Sequence, residues 1–141
     1  KGSQSLKAIK CPEKIVGRLI DELPILFLIC SLAKGTSTFK KIGELRHKES
    51  DRLKICSSFL KMIGIKVKET KDGLKIFGNP NLKLKKFYEI KNFMKDHRIF
   101  MMSCIAALTL GGKWKIHDKN SINSSFPEFI SKLKFLGAKI I

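Results

Sequence analysis

Three short polar islands stand apart from a background of scattered lysines. The first is Asp21-Glu22, directly ahead of the most apolar stretch of the chain. The second is Glu44-Leu45-Arg46-His47-Lys48-Glu49-Ser50-Asp51-Arg52, in which seven of nine residues are charged or titratable. The third is Asp96-His97-Arg98. A carboxylate at a cleft edge accepts a hydrogen bond or a proton from a substrate hydroxyl. Arginine offers a planar fork for carboxylate or phosphate, and lysine a point charge. Arg98 falls in a first helical turn, where its charge opposes the helix dipole and an external anion would relieve it. Together these residue types suit a cleft for an anionic, phosphorylated small molecule. The same residues also suit plainer work: Asp21 and Asp96 as helix N-caps, and the second island as an exposed helix start laced by i,i+3 and i,i+4 ion pairs.

For the islands to converge, helices must begin at them, because helix N-termini present free N–H groups and a positive dipole end. The patterning predicts that. Helices are expected over residues 21–34, 50–63, 96–110 and 127–136. Each has an acid or proline near its start, and glycine closes them or follows within a residue. The first is apolar nearly all round and therefore buried. Strands are expected at 6–10, 36–42, 65–69, 74–77, 87–90, 113–117 and 138–141, with an Asp72-Gly73 turn making a hairpin. Residues 43–49 read as a polar connection, and 11–19 fit neither pattern. The order predicts an α/β fold with mixed strands, helices packed on sheets.

Composition narrows the function classes. The chain has 141 residues, 43% of them hydrophobic, with 29 Lys+Arg against 12 Asp+Glu and a formal charge of +17. That is globular, neither disordered nor low-complexity. Only four of the basic residues are Arg, and no nucleic-acid-binding signature accompanies the charge, so a solvated lysine surface is expected and not a nucleic-acid partner. The longest apolar run, residues 23–33, is far short of the roughly 20 residues a spanning helix needs, so no membrane partner is expected. The first residues lead into no secretory leader. The cysteines Cys11, Cys30, Cys56 and Cys104 lack metal-ligand or disulfide-framework spacing and are expected to be reduced thiols. No glycine-rich phosphate loop follows a strand.

At the islands the chain resembles the 5-enolpyruvylshikimate-3-phosphate synthase family. The resemblance rests on Asp21-Glu22-Leu23-Pro24, the long second island, Asp96-His97-Arg98-Ile99 and Ser125-Phe126-Pro127, in that order and at similar spacing. It implies transfer of the enolpyruvyl group of phosphoenolpyruvate to the 5-hydroxyl of shikimate 3-phosphate, with release of phosphate. It implies a two-domain enolpyruvyl transferase fold, an inside-out α/β barrel of βαβαββ units, with no metal or organic cofactor. Residues 1–141 would be a partial C-terminal domain ending near the family's own C-terminus, without the N-terminal domain. The whole enzyme would be a cytoplasmic monomer, and the segment alone inactive.

Residue by residue, the resemblance implies Asp21 as proton acceptor and shikimate ligand. Lys48 falls beside the shikimate 3-phosphate and the reacting centre, and Glu49 is linked to proton transfer at the methylene carbon. Arg52 and Arg98 would hold phosphoenolpyruvate. There are departures: some members carry Asn in place of Glu44, Lys in place of Ser124, and an apolar residue in place of His47. Two other readings compete. One is the related transferase acting on UDP-N-acetylglucosamine, against which the Lys48–Arg52 string argues. The other is a non-catalytic basic binding module.

Overall fold

The computed structural model describes residues 5–141. Residues 6–11 run extended. Helix α1 (Glu13–Leu19) follows, then a 3-10 turn (Ile20–Glu22), and helix α2 (Leu23–Ser31). Strand β1 (Gly35–Phe39), a second 3-10 segment (Gly43–His47), helix α3 (Arg52–Met62) and the strands β2 (Lys66–Glu69) and β3 (Leu74–Gly78) complete a first unit. A second unit begins with strand β4 (Leu84–Ile90), helix α4 (His97–Leu110) and strand β5 (Gly111–Ile116). A 3-10 segment (Lys119–Ser124) and helix α5 (Phe129–Phe135) follow.

Strands β1, β3 and β2 lie in that order in one antiparallel sheet, with Ser37 and Val67 both opposite Ile76. Residues 6–11 run parallel beside β1, with bridges at Lys7–Lys34 and Lys10–Thr38. The strand expected at 6–10 is therefore extended but not a continuous ladder. Its Ile9 amide donates to the Ser37 hydroxyl at 3.2 Å, so a side chain takes the bond a backbone carbonyl would have accepted. Strands β4 and β5 pair in parallel, as a crossover through α4 requires. An irregularity between Leu84 and Phe87 lets β4 start three residues before the expected 87.

The buried core lies where α2, α3 and α4 meet between the sheets. Leu23, Phe27, Leu53, Leu60, Ile99 and Ala106 are all fully buried there. Phe27 meets Phe39 of β1 edge-on at 4.8 Å, fixing α2 to the first sheet. Trp114 of β5 stacks between Tyr88 and Phe59, joining the second sheet to α3. Strand β3 ends over the C-terminus of α2. A Cβ on Gly78 would meet the Ala33 carbonyl oxygen at 2.0 Å, so only glycine allows that approach.

The two units echo each other in sequence as well as in shape. Leu60-Lys61-Met62-Ile63-Gly64-Ile65-Lys66-Val67 ends α3, and Leu133-Lys134-Phe135-Leu136-Gly137-Ala138-Lys139-Ile140 ends α5. Both glycines are left-handed, φ +88° and +96°. Both helix ends close the same way. Ile65 N–H donates to the Leu60 carbonyl and Ala138 N–H to the Leu133 carbonyl, each at 2.9 Å, a double-bonded C-cap that satisfies orphan carbonyls. After α3 the chain enters β2. After α5, residues 138–141 pair with no strand among the described residues, so the strand expected there is not formed. A strand exists only with a neighbour to bond to.

Candidate functional site

The starts of α2, α3 and α4 face one another, and the three polar islands meet there. Asp51 caps α3 by accepting from the Lys54 amide at 2.9 Å. Asp96 caps α4 by accepting from the Arg98 amide at 3.0 Å through Oδ1. The turn that delivers Asp96 places Asn92, Met94 and Lys95 in the left-handed region, a conformation of modest cost for residues with a Cβ. The buried Phe93 pins that turn, its carbonyl accepting from the Asp96 amide at 3.0 Å.

Asp21 was expected to cap α2. It sits in the 3-10 turn before α2 and makes no cap bond. Its carboxylate instead accepts from Arg52 Nη1 at 2.8 Å. Against the guanidinium the carboxylate meets a full positive charge, where a cap would offer it only the partial charge of a backbone amide.

Arg52 is the hub. Its side chain is 1% exposed and donates to three carboxylates: Nε to Asp96 Oδ2 at 2.8 Å, Nη1 to Asp21, and Nη2 to Glu49 in a short contact. Ser50 Oγ donates to the same Asp96 oxygen at 2.8 Å, and Asp96 is wholly buried. Burial works against the guanidinium charge, yet its hydrogen bond with Asp96 and the neighbouring acids outweigh that and hold its pKa above the ordinary value.

Lys48 Nζ lies 3.6 Å from Asp21 Oδ1 and 2.9 Å from Glu44 Oε1. The Glu44 hydrogen bond is the main reason its pKa is raised; burial opposes it and the Asp21 charge adds to it. For Asp21, partial desolvation pushes the pKa up. The Arg52 hydrogen bond and the Lys48, Arg52 and Arg98 charges overcome that and leave it below the ordinary 3.8. Arg98 reaches back across the cleft, Nη1 to Glu22 Oε1 at 2.5 Å.

The structure thus brings Asp21, Lys48, Glu49, Arg52 and Arg98 to one place. It adds three residues that were not singled out as functional: Glu22, Ser50 and Asp96. Asp96 had a legible signal as a cap, but not as the buried partner of Arg52. Five carboxylates (Asp21, Glu22, Glu44, Glu49, Asp96) face three cations (Lys48, Arg52, Arg98), a formal local charge of −2 within a chain of +17. Beside them opens a cavity of about 200 Å³, with Asp21, Glu22 and Arg98 on its rim and Ile25, Met101 and Phe129 among its walls. A larger cleft of about 370 Å³ over the β2–β3 hairpin shares no residue with the cluster.

The sequence profile of the EPSP synthase (3-phosphoshikimate 1-carboxyvinyltransferase) family matches residues 2–133. The chain belongs to the EPSP synthase family. It is 42% identical over 136 residues to the 3-phosphoshikimate 1-carboxyvinyltransferase of Thermodesulfovibrio yellowstonii, covering 96% of this chain and 31% of that one. The Zymomonas mobilis protein of the same name is 40% identical, covering 95% and 30%. The EPSP synthase structure from Acinetobacter baumannii superposes with a TM-score of 0.87 at 36% identity, over 96% of this chain and 31% of that one. The α/β fold expected from the resemblance is therefore that of solved EPSP synthases. The chain spans about 30% of the length of these family members.

Among the described residues no helix is long and apolar enough to cross a membrane. All four cysteines are free and buried. Burial raises the Cys104 thiol to about 12 and pushes Cys56 higher still. In the EPSP synthase motif Ser125-Phe126-Pro127, the Phe126 ring packs at 5.8 Å against Phe129 of the cavity wall, so the motif borders the cluster without entering it.

Proposed function

We propose that this segment supplies the C-terminal part of the active site of a cytoplasmic, monomeric EPSP synthase, which transfers enolpyruvyl from phosphoenolpyruvate to the 5-hydroxyl of shikimate 3-phosphate. The supporting observation is one buried guanidinium, Arg52, that gathers Asp21 and Glu49 at one cleft edge with Lys48 alongside. In this reading Glu49 protonates the methylene carbon of phosphoenolpyruvate. Positive character at the central carbon draws attack by the 5-hydroxyl oxygen, whose proton passes to Asp21. The carbon–oxygen bond to phosphate then breaks as the deprotonated Glu49 takes back a methyl proton, which restores the double bond, regenerates the acid and releases phosphate. Acid and base must act in one geometry, and the arginines hold the reactants in register.

Electrostatics favour this division of labour. Cations keep Asp21 ionised, ready to accept a proton but a weak base. An incoming phosphate beside Lys48 cancels part of that positive field and raises the proton affinity of Asp21 when the hydroxyl arrives. A cleft with a local charge of −2 does not by itself attract two multiply charged anions, so further cations must come from the N-terminal domain. That supports inactivity of the segment alone.

The test is phosphate release by the full-length enzyme containing this segment. Release is expected with phosphoenolpyruvate and shikimate 3-phosphate, and not with UDP-N-acetylglucosamine as acceptor. Release with the sugar nucleotide alone would assign the chain to the related transferase. Salt-sensitive DNA binding that persists after loss of Arg52 and Arg98, without any release, would favour a basic binding module.

A further inference from the structure

Arg46 lies inside the second polar island, yet none of the chemistry above uses it. All three of its guanidinium nitrogens are engaged. Nε donates to the Lys71 carbonyl at 2.9 Å, and Nη1 donates to both Asp51 oxygens at 3.0 and 3.3 Å. Nη2 donates to Glu69 Oε1 at 2.8 Å and to the Thr70 carbonyl at 2.9 Å. The two Asp51 oxygens share one Nη1 N–H, so four of the five guanidinium N–H donors are engaged. Every acceptor but Asp51 belongs to the end of β2 or to the turn that joins it to β3. Asp51 is the cap of α3. A second bolt lies beside this one, the Ile42 amide donating to the Asp72 carbonyl at 2.9 Å.

Between Arg46 and Asp51 lie His47, Lys48, Glu49 and Ser50. Both ends of this short stretch are tied to the same guanidinium, and the guanidinium is tied to the hairpin. We infer that Arg46 is a positioning residue: it locks the β2–β3 turn to both ends of the Lys48–Ser50 segment, so that the hairpin sets where the Lys48 ammonium and the Glu49 carboxylate meet the substrates. This rests on the enolpyruvyl-transfer reading above. Proton transfer to carbon depends steeply on alignment, whereas binding of an anion by a lysine on a long stem does not. Loosening the clamp therefore lowers kcat more than it changes KM. A purely structural Arg46 would lower thermal stability and leave kcat unchanged wherever the protein stays folded.

The geometry also supplies a replacement for the hairpin half of the clamp. A Cβ built on Gly43 lies 3.4 Å from the Asp72 Cβ, just under the roughly 3.5–4.5 Å a disulfide spans, so a small backbone shift suffices. The experiment uses the full-length enzyme with Arg46→Ala and Arg46→Lys, each alone and combined with the Gly43→Cys/Asp72→Cys pair. Turnover, both KM values and the thermal midpoint are measured under oxidising and reducing conditions. Each single variant is expected to lose roughly tenfold or more in kcat, with KM changing less than about threefold. Oxidation of the cysteine pair is expected to restore part of the loss, and reduction to remove that gain. Lysine cannot reproduce the planar fork, so Arg46→Lys decides the matter if Arg46→Ala does not fold. Arg46→Lys turnover within twofold of the unaltered enzyme overturns the inference, as does a folded variant whose loss is indifferent to oxidation. If the unaltered enzyme releases no phosphate, the functional reading fails by itself. Amide exchange over residues 46–50 then tests the clamp: faster exchange in Arg46→Lys supports it, and unchanged exchange overturns it.

Discussion

Arg52 donates through Nε to Asp96 Oδ2 at 2.8 Å, and solvent reaches neither side chain, at 1% and 0% exposure. The two residues are 44 apart in sequence and lie at the starts of different helices. The pair fixes α3 against α4 and aims the other two guanidinium nitrogens at Asp21 and Glu49. Removing one partner of a buried pair costs up to about 3–5 kcal/mol, an upper limit here because Asp21 and Glu49 still pair with Arg52. Asp96→Ala is therefore expected to lower the chemical-denaturation stability of the full-length enzyme by up to that amount. Asp96→Asn, which keeps shape and one acceptor, is expected to lose less. Equal stability of Asp96→Ala and the unaltered enzyme would remove the pair from the account.

Glu49 is about half exposed, and its side chain hydrogen-bonds Arg52 alone among the described residues. Its replacement by Gln keeps the side-chain volume and removes the proton donor. Turnover is expected to fall by ~100-fold or more, with substrate KM values nearly unchanged. Steady-state kinetics of Glu49→Gln check this, and near-normal turnover would take Glu49 out of the chemistry.

Arg98 is held to Glu22 at one nitrogen, while its Nε and Nη2 have no hydrogen-bond partner among the described residues. That leaves one edge of the fork open to an anion. Arg98→Ala is expected to raise the KM for phosphoenolpyruvate by ~10-fold or more, in line with about 1.5–3 kcal/mol for hydrogen bonds to a charged group. Glu22→Gln, which slackens the tether, is expected to raise it less. Unchanged affinity in Arg98→Ala would exclude a clamp at this position.

Asp21 has a folded-state pKa below the ordinary 3.8. The unfolded state therefore takes up its proton at higher pH than the folded state does. The contribution of this group to stability is fully present above 3.8 and is lost as pH falls through the lower folded value. Asp21→Asn is expected to flatten the stability profile of the full-length enzyme in that acid window and to leave the profile above it parallel. Denaturation midpoints across pH 2–6 check this; identical acid slopes would contradict it.

Local chemistry made the helices legible. Asp51 and Asp96 cap α3 and α4, Pro24 lies in the first turn of α2, and Gly64 and Gly137 close α3 and α5. Asp21 shows where local reasoning stops. It has the residue type and place of a cap, but its partner lies 31 residues away, and only the packed structure brings Arg52 to it. The strand at 6–10 failed for a similar reason, since the Ser37 hydroxyl interrupts the ladder. Residues 11–19 fitted no pattern. The structure forms α1 there, starting after Pro12, a short helix whose only buried residue is Val16. A single buried position leaves too little periodicity to read. The residues of the cluster itself, Arg52 included, were legible because three islands carried them, while the burial of Arg52 as the hub that joins the islands was not.

The central claim is that the acids and cations gathered around Arg52 bind and process the two substrates. A crystal structure of the full-length enzyme with shikimate 3-phosphate and an unreactive phosphoenolpyruvate analogue tests it most directly. The expected result places the shikimate hydroxyls on Asp21 and its phosphate on the Lys48 side. It places the analogue's anionic groups on the open edge of Arg98 and on Arg52, released from at least one carboxylate. Ligand density in another cleft, with the Arg52 contacts to Asp21 and Glu49 undisturbed, would contradict it.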